Sequence, residues 1–267
     1  MKKLIILLVI TTAISGYDDD QGYVIAGQLW GSALHNYPEK LKGKVKEVRW
    51  ENFWGKVMNG KIIEGERRDP KAQPPFVENY NSSGTVLSFA WLNNEGGINK
   101  DFWSIRVEAE GKLIKKAMYY IQDTLRAYTR NVYSENNLAE VGFLNPGNDS
   151  LIARVVYTYD QNRNRIKWQE FSSAGIPSQY VEFIYDKGGS VEQMKQFSAL
   201  GKLTYSEEFI YNEKGVWIGS HTENYVRGTK GTNENSYEYD KKGNWIKRIS
   251  FQPDKTIKLI VRKITYY

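Results

Sequence analysis

One turn signature recurs along this chain at nearly constant spacing. It reads Tyr159-Asp160-x-x-Arg163, Tyr185-Asp186-x-x-Gly189, Tyr211-Asn212-x-x-Gly215 and Tyr239-Asp240-x-x-Gly243. The steps between these tyrosines are 26, 26 and 28 residues. A fixed period of this length means one supersecondary unit repeated side by side. Weaker copies lie upstream at Tyr133-Ser134, Val107-Glu108 and Tyr80-Asn81. Further columns follow the same beat. Leu92, Tyr119, Phe171, Phe197 and Phe251 form one, and Gly96, Gly175 and Gly201 another. Val86, Leu113, Val191, Trp217 and Trp245 form a third, which Arg165 breaks.

Each unit reads as two strands and two tight turns. Val181, Phe183 and Tyr185 alternate with Tyr180, Glu182 and Ile184, the period-two pattern of a strand. Asp186 opens a turn because its side chain can bond the backbone ahead of it. Gly189 closes the turn because it takes a positive φ without a Cβ clash. Val191 to Phe197 is the return strand, and Ser198-Ala199-Leu200-Gly201 is the next turn. Seven units give roughly fourteen strands of ordinary length. Lys44 to Phe53 and Lys61 to Glu66 add a hairpin through Asn59-Gly60. Connections this short exclude parallel crossovers. The expectation is an all-β fold, an antiparallel meander of hairpin repeats forming a long twisted or curled sheet, with closure left open.

Three segments follow from the pattern: 1–15, 16–40 and a repeat domain over 41–267. Lys2 and Lys3 precede an apolar run, and Ala13 and Ser15 are small residues two apart. This is the form of a secretory leader cleaved near Ser15. The apolar stretch to Ile14 is 11 residues, short of the ~20 that span a bilayer. The expected location is periplasmic, secreted or cell-surface, with no transmembrane span after cleavage. The chain has no cysteine; export without disulfides suits a bacterial envelope. Leu29, Trp30 and Leu34 allow a short helix before Pro38 that caps an open sheet end.

Motifs for chemistry are sparse. The two histidines, His35 and His221, have no ligand-spaced partner, and thiol catalysis is excluded. Gly228-Thr229-Lys230-Gly231-Thr232 lacks the spacing and context of a phosphate loop. Glu207 and Glu208 are adjacent on a strand, so they point to opposite faces. No cofactor or metal is expected. The charge is +6 from 37 basic and 31 acidic residues, and the signs are interleaved; this is a solvated surface rather than a nucleic-acid patch. Trp168, Trp217 and Trp245 fall on return strands of three units. On an open face they form flat platforms for sugar rings or protein side chains. Alternatively, they pack on their neighbours' Tyr and Phe.

The units resemble YD repeats of the Rhs family. Tyr237-Glu238-Tyr239-Asp240-Lys241-Lys242-Gly243-Asn244-Trp245 carries the likeness most fully, with Tyr185-Asp186 and Tyr159-Asp160 behind it. Leu41-Lys42-Gly43-Lys44-Val45-Lys46 resembles the lead-in of small exported bacterial repeat proteins. The likeness implies a hairpin-repeat architecture. Large members wrap a shell around a toxin segment, and related repeats are associated with cell-surface and carbohydrate binding. This chain is too short to enclose cargo, and its period exceeds the roughly twenty residues of the family unit. The expected function is therefore a non-catalytic binding or scaffold protein of the bacterial envelope, with a glycan or cell-surface protein as partner. The alternatives are polysaccharide binding through an aromatic face and, further off, an enzyme whose site is built from loops.

Overall fold

The computed structural model describes residues 41–69, 74–111, 113–135, 137–252 and 254–267. The proposed leader, the capping helix and His35 lie outside the described residues. The strands are β1 (Val45–Met58), β2 (Lys61–Arg67), β3 (Phe76–Tyr80), β4 (Val86–Trp91), β5 (Trp103–Glu110), β6 (Leu113–Ile121), β7 (Thr124–Ser134), β8 (Asn137–Leu144), β9 (Leu151–Tyr159), β10 (Arg165–Ser172), β11 (Pro177–Tyr185), β12 (Val191–Ser198), β13 (Leu203–Tyr211), β14 (Trp217–Asn224), β15 (Thr229–Tyr239), β16 (Trp245–Phe251) and β17 (Ile257–Tyr266). From β3 onward each strand pairs antiparallel with the next.

The sheet closes. The expected all-β antiparallel meander is present, and the closure that the sequence left open is decided: the long twisted or curled sheet ends in a ring. β1 pairs with β3 through Glu47–Trp50 and with β17 along Val45–Trp54. Sixteen strands thus form a barrel, while β2 pairs only the far half of β1 as a hairpin beyond the ring. The seam is deep: Trp50 faces Arg262 and Asn52 faces Ile260 across it. Closure removes the two edges that an open meander exposes.

The turns behave as the sequence reading requires. At one end, hereafter the first rim, Asp186 Oδ1 accepts the backbone amides of Gly188 at 2.8 Å and Ser190 at 2.9 Å. Asp160, Asn212 and Asp240 do the same two and four residues ahead. Gly189, Gly215 and Gly243 take φ of 83°, 71° and 80°. Arg163 fills that position in its turn with φ 65°, where a Cβ costs ~1–2 kcal/mol.

Each return strand begins with a bulge. Ile184 faces Gln193, yet Tyr185 faces Val191; the same slip occurs at Tyr211/Trp217 and Tyr239/Trp245. One extra residue is absorbed there. Inward side chains on the return strand are consequently three apart at the first step: Val191 and Met194, Trp217 and Ser220, Trp245 and Arg248. The repeated tyrosines tie units together where no turn joins them. The hydroxyls of Tyr133, Tyr159, Tyr185 and Tyr211 donate to the carbonyls of Ile114, Leu138, Arg165 and Val191 at 2.7, 2.8, 2.8 and 2.9 Å. Burial pushes the Tyr185 hydroxyl up to about 12, so it stays a donor at ordinary pH.

The inward face of the ring is mostly buried and apolar, and the outward face carries charge beside a small buried patch of Val77, Ala90 and Leu92. The buried, inward face holds one apolar cluster across the seam (Val48, Trp50, Phe76, Phe89, Trp245, Ile260), a second around Val141, Phe143 and Val155, and a third around Val181, Phe183 and Met194. The outward face carries cross-strand ion pairs: Lys263–Glu51 at 2.7 Å, Arg154–Glu140 at 3.1 Å and Lys247–Glu238 at 3.1 Å. Each exposed pair contributes little stability, ~0–1 kcal/mol, but together they put charge where a bilayer-spanning barrel needs an apolar band. No helix among the described residues is long and apolar enough to cross a membrane.

Candidate functional site at the inner face and the rims

The three tryptophans all turn inward, and they are not a row. Trp217 and Trp245 occupy equivalent positions just after the bulge, whereas Trp168 sits three residues further along its strand, opposite Val181. Trp245 is 2% exposed and Trp217 9%; Trp168 is half-buried between the second and third apolar clusters. Of the two readings of Trp168, Trp217 and Trp245, packing on neighbours rather than an open platform is what the sheet presents. The bulge is the reason, because it turns the first residue of each return strand into the core.

These rings hold guanidinium groups. Arg248 lies 5.5 Å from the Trp217 ring centre and 5.8 Å from that of Trp245. Arg262 lies 3.5 Å over Trp245 and 5.1 Å from Trp50. Trp50 in turn stacks on Phe76 at 5.0 Å. An alternating tryptophan–arginine ladder thus runs from β14 through β16 and β17 across the seam to β1. Buried cation–ring contacts of this kind contribute ~2 kcal/mol each. Arg262 Nε also donates to the Trp245 carbonyl at 2.7 Å. Arg165, which broke the apolar column, is buried 4.0 Å over the Tyr157 ring. A stacked cation fills a position that other units give to an apolar side chain.

The inward carboxylates are likewise committed. Glu78 accepts the indole N–H of Trp50 at 3.0 Å and the hydroxyl of Tyr80 at 2.8 Å. Burial pushes its carboxyl up to about 7, against these two donors and the charge of Arg262. Glu170 accepts the Gln179 amide at 3.0 Å, and Gln179 accepts that of Gln196 at 2.8 Å; burial raises the Glu170 pKa while Gln179 and Ser178 oppose the rise. Glu207 is buried and accepts the Tyr205 hydroxyl at 3.2 Å, while Glu208 is exposed. The opposite-face reading of that pair holds. Along the wall Glu170 and Glu207 are three strands apart, roughly 14 Å, beyond the separation at which two carboxylates share one bond. His221 is exposed and within 3.1 Å of Thr232 Oγ1. Among the described residues no group of three or more His, Cys, Asp or Glu is placed to hold a metal.

The two rims differ in kind. First-rim turns are polar, as in Asp186-Lys187-Gly188-Gly189 and Asp240-Lys241-Lys242-Gly243. At the second rim, Ile176 is 64% exposed, Leu200 95% and Val226 72%. The β1–β2 hairpin projects past the same rim with Val57 and Met58 exposed at its tip. Just below it the outer wall carries Phe171 under Arg154, and Tyr180 stacked on Phe197 at 4.6 Å and 12°. Sequence reading missed this rim. Its signal was an apolar residue in a tight turn, where solvent would favour a polar one.

No family model matches the chain, and no curated protein matches it. Among solved structures it is similar to a porin-like protein from Bacteroides uniformis at 8% identity, covering 84% of this chain and 99% of that one, with a TM-score of 0.38. A porin-like protein from Bacteroides vulgatus gives 10% identity, 84% and 98% coverage, and a TM-score of 0.39. The TcdB2-TccC3-Cdc42 structure gives 12% identity over 82% of this chain and 11% of that one, with a TM-score of 0.34.

Proposed function

We propose that this protein is a non-catalytic binding or scaffold barrel of the bacterial cell envelope, built from YD-like hairpins. The observation that carries the reading is how the inner face uses its reactive groups. Glu78, Glu170 and Glu207 accept bonds from their own wall, and Arg248 and Arg262 sit between tryptophans. Groups spent on the wall leave the rims and outer surface for contact. The leader-like N-terminus supports an envelope location.

The test is retention of the tagged chain by envelope fractions, set beside a turnover assay on cell-wall and glycan substrates. Saturable retention without turnover is expected. Sustained turnover that falls in Glu170→Gln or Glu207→Gln overturns the reading. A glycan reading survives in altered form. The outer-wall rings Phe171, Tyr180 and Phe197 are half-buried and flanked by Arg154 and Lys167, a composition that stacks on sugars. Glycan-array binding lost in Tyr180→Ala/Phe197→Ala supports it; array binding that persists there removes it.

A further inference from the structure

We infer that the second rim docks onto the surface of an anionic lipid bilayer, with its turn tips entering the interface. This deepens the binding role proposed above and rests on it.

The argument starts from the tips. Ile176, Leu200 and Val226 sit in successive second-rim turns, joining β10–β11, β12–β13 and β14–β15. Neighbouring turns are two strands apart, about 9.5 Å. The next turn in the ring, between β16 and β17, carries exposed Lys255, and the β1–β2 hairpin with Val57 and Met58 follows across the seam. Five consecutive connections thus form an arc in which four present an apolar side chain to solvent. A hydrophobic residue in a tight turn contributes nothing to the turn's own geometry, and the barrel core lies on the inward face below.

Cations accompany the tips. Lys202 follows Leu200 by two residues, Arg227 is next to Val226, and Lys56 and Lys61 flank Val57-Met58; all are exposed. Asp254 is the acidic residue within these four turns and the hairpin tip. Apolar side chains interleaved with lysine and arginine complement an interface of acyl chains below and anionic headgroups above. The shape points the same way. Separate protruding knobs need one socket each on a rigid protein, whereas a fluid interface closes around each of them. The polar first rim would then face away from the membrane. The charged outer wall stays in water, consistent with a barrel that rests on the bilayer and does not span it.

The test uses the full chain and exploits its lack of cysteine. A single environment-sensitive fluorophore is placed at Leu200→Cys, or at Lys187→Cys on the first rim as control. Vesicles are phosphatidylcholine alone or mixed with phosphatidylglycerol. With mixed vesicles the Leu200→Cys label is expected to brighten and shift to the blue, and the Lys187→Cys label to stay unchanged. Flotation with mixed vesicles is expected to fall about tenfold in Leu200→Ser/Val226→Ser, and again in Lys202→Glu/Arg227→Glu, and to weaken with salt. These positions are exposed, so unchanged circular dichroism and melting verify the fold of each variant. A label at Leu200→Cys that stays in water, or flotation equal in all variants, overturns the inference. So does a rim-dependent change in sedimentation without vesicles, which makes the rim a contact between copies. If vesicles fail while envelope fractions still retain the chain, only the lipid inference falls; turnover tests the broader reading independently.

Discussion

Glu78 is a side chain whose ionisation the barrel moves into the ordinary pH range. In the unfolded chain its carboxyl ionises near 4.5, and in the folded barrel at about 7. Between those values the folded state holds a proton that the unfolded state has released. The group's contribution is fully present below 4.5 and is lost as pH rises through 7, a change of up to about 3 kcal/mol. Glu78→Gln keeps an acceptor for Trp50 and Tyr80 and removes the titration. Urea midpoints compared between about pH 5 and about pH 8 are expected to differ less in the variant; an unchanged difference assigns the dependence elsewhere. Arg163 offers a second test at this scale. It holds φ 65° where its sister turns have glycine, so Arg163→Gly is expected to stabilise by up to about 1 kcal/mol, while Gly189→Ala destabilises by about 1 kcal/mol. The reverse order in thermal melts contradicts the strain argument.

At the scale of the hairpin, the tyrosine does two jobs. Its ring packs inward beside the bulge, and its hydroxyl fastens one unit to the one before it. Tyr185→Phe and Tyr211→Phe remove single donors to Arg165 and Val191. Each is expected to cost about 1 kcal/mol in denaturation, and the costs should add because the sites share no partner. These turns were legible in the sequence, because an Asp that bonds its own backbone and a Gly at positive φ are local requirements. For Trp217 and Trp245 the sequence left two readings side by side, an open platform and packing on neighbours. A strict period of two misses a bulge, and the bulge decides which way the first residue of the return strand points. Arg165, which the sequence marks as a break in its apolar column, is a related case. Only the folded wall shows that a guanidinium over Tyr157 can stand in for an apolar side chain. The apolar rim was overlooked because turns were read for what lets them bend, not for what they present.

For the whole molecule, closure depends on pairs far apart in sequence. Trp50 meets Arg262, and Asn244 bonds Lys42 both ways, accepting its amide at 2.6 Å and donating to its carbonyl at 2.8 Å. The Tyr267 hydroxyl reaches the Tyr80 carbonyl at 2.6 Å. No local pattern encodes such contacts, which is why the repeat announced the ribbon and not the ring. Hydrogen exchange checks the ring directly. Amides of Val48 to Asn52 are expected to exchange as slowly as those of β12 and β13, and those of Lys61 to Glu64 much faster, since β2 pairs on one side alone among the described residues. Rapid exchange through Val48 to Asn52 is incompatible with a paired seam.

The seam also sets an order of events during synthesis. β1 leaves the ribosome early, and its permanent neighbour β17 is encoded more than two hundred residues later. Until that final segment emerges, the growing ribbon has a bare strand at each end, and long-range pairing of this kind forms slowly. A nascent chain of this design must therefore keep its two loose margins from pairing elsewhere until β17 arrives.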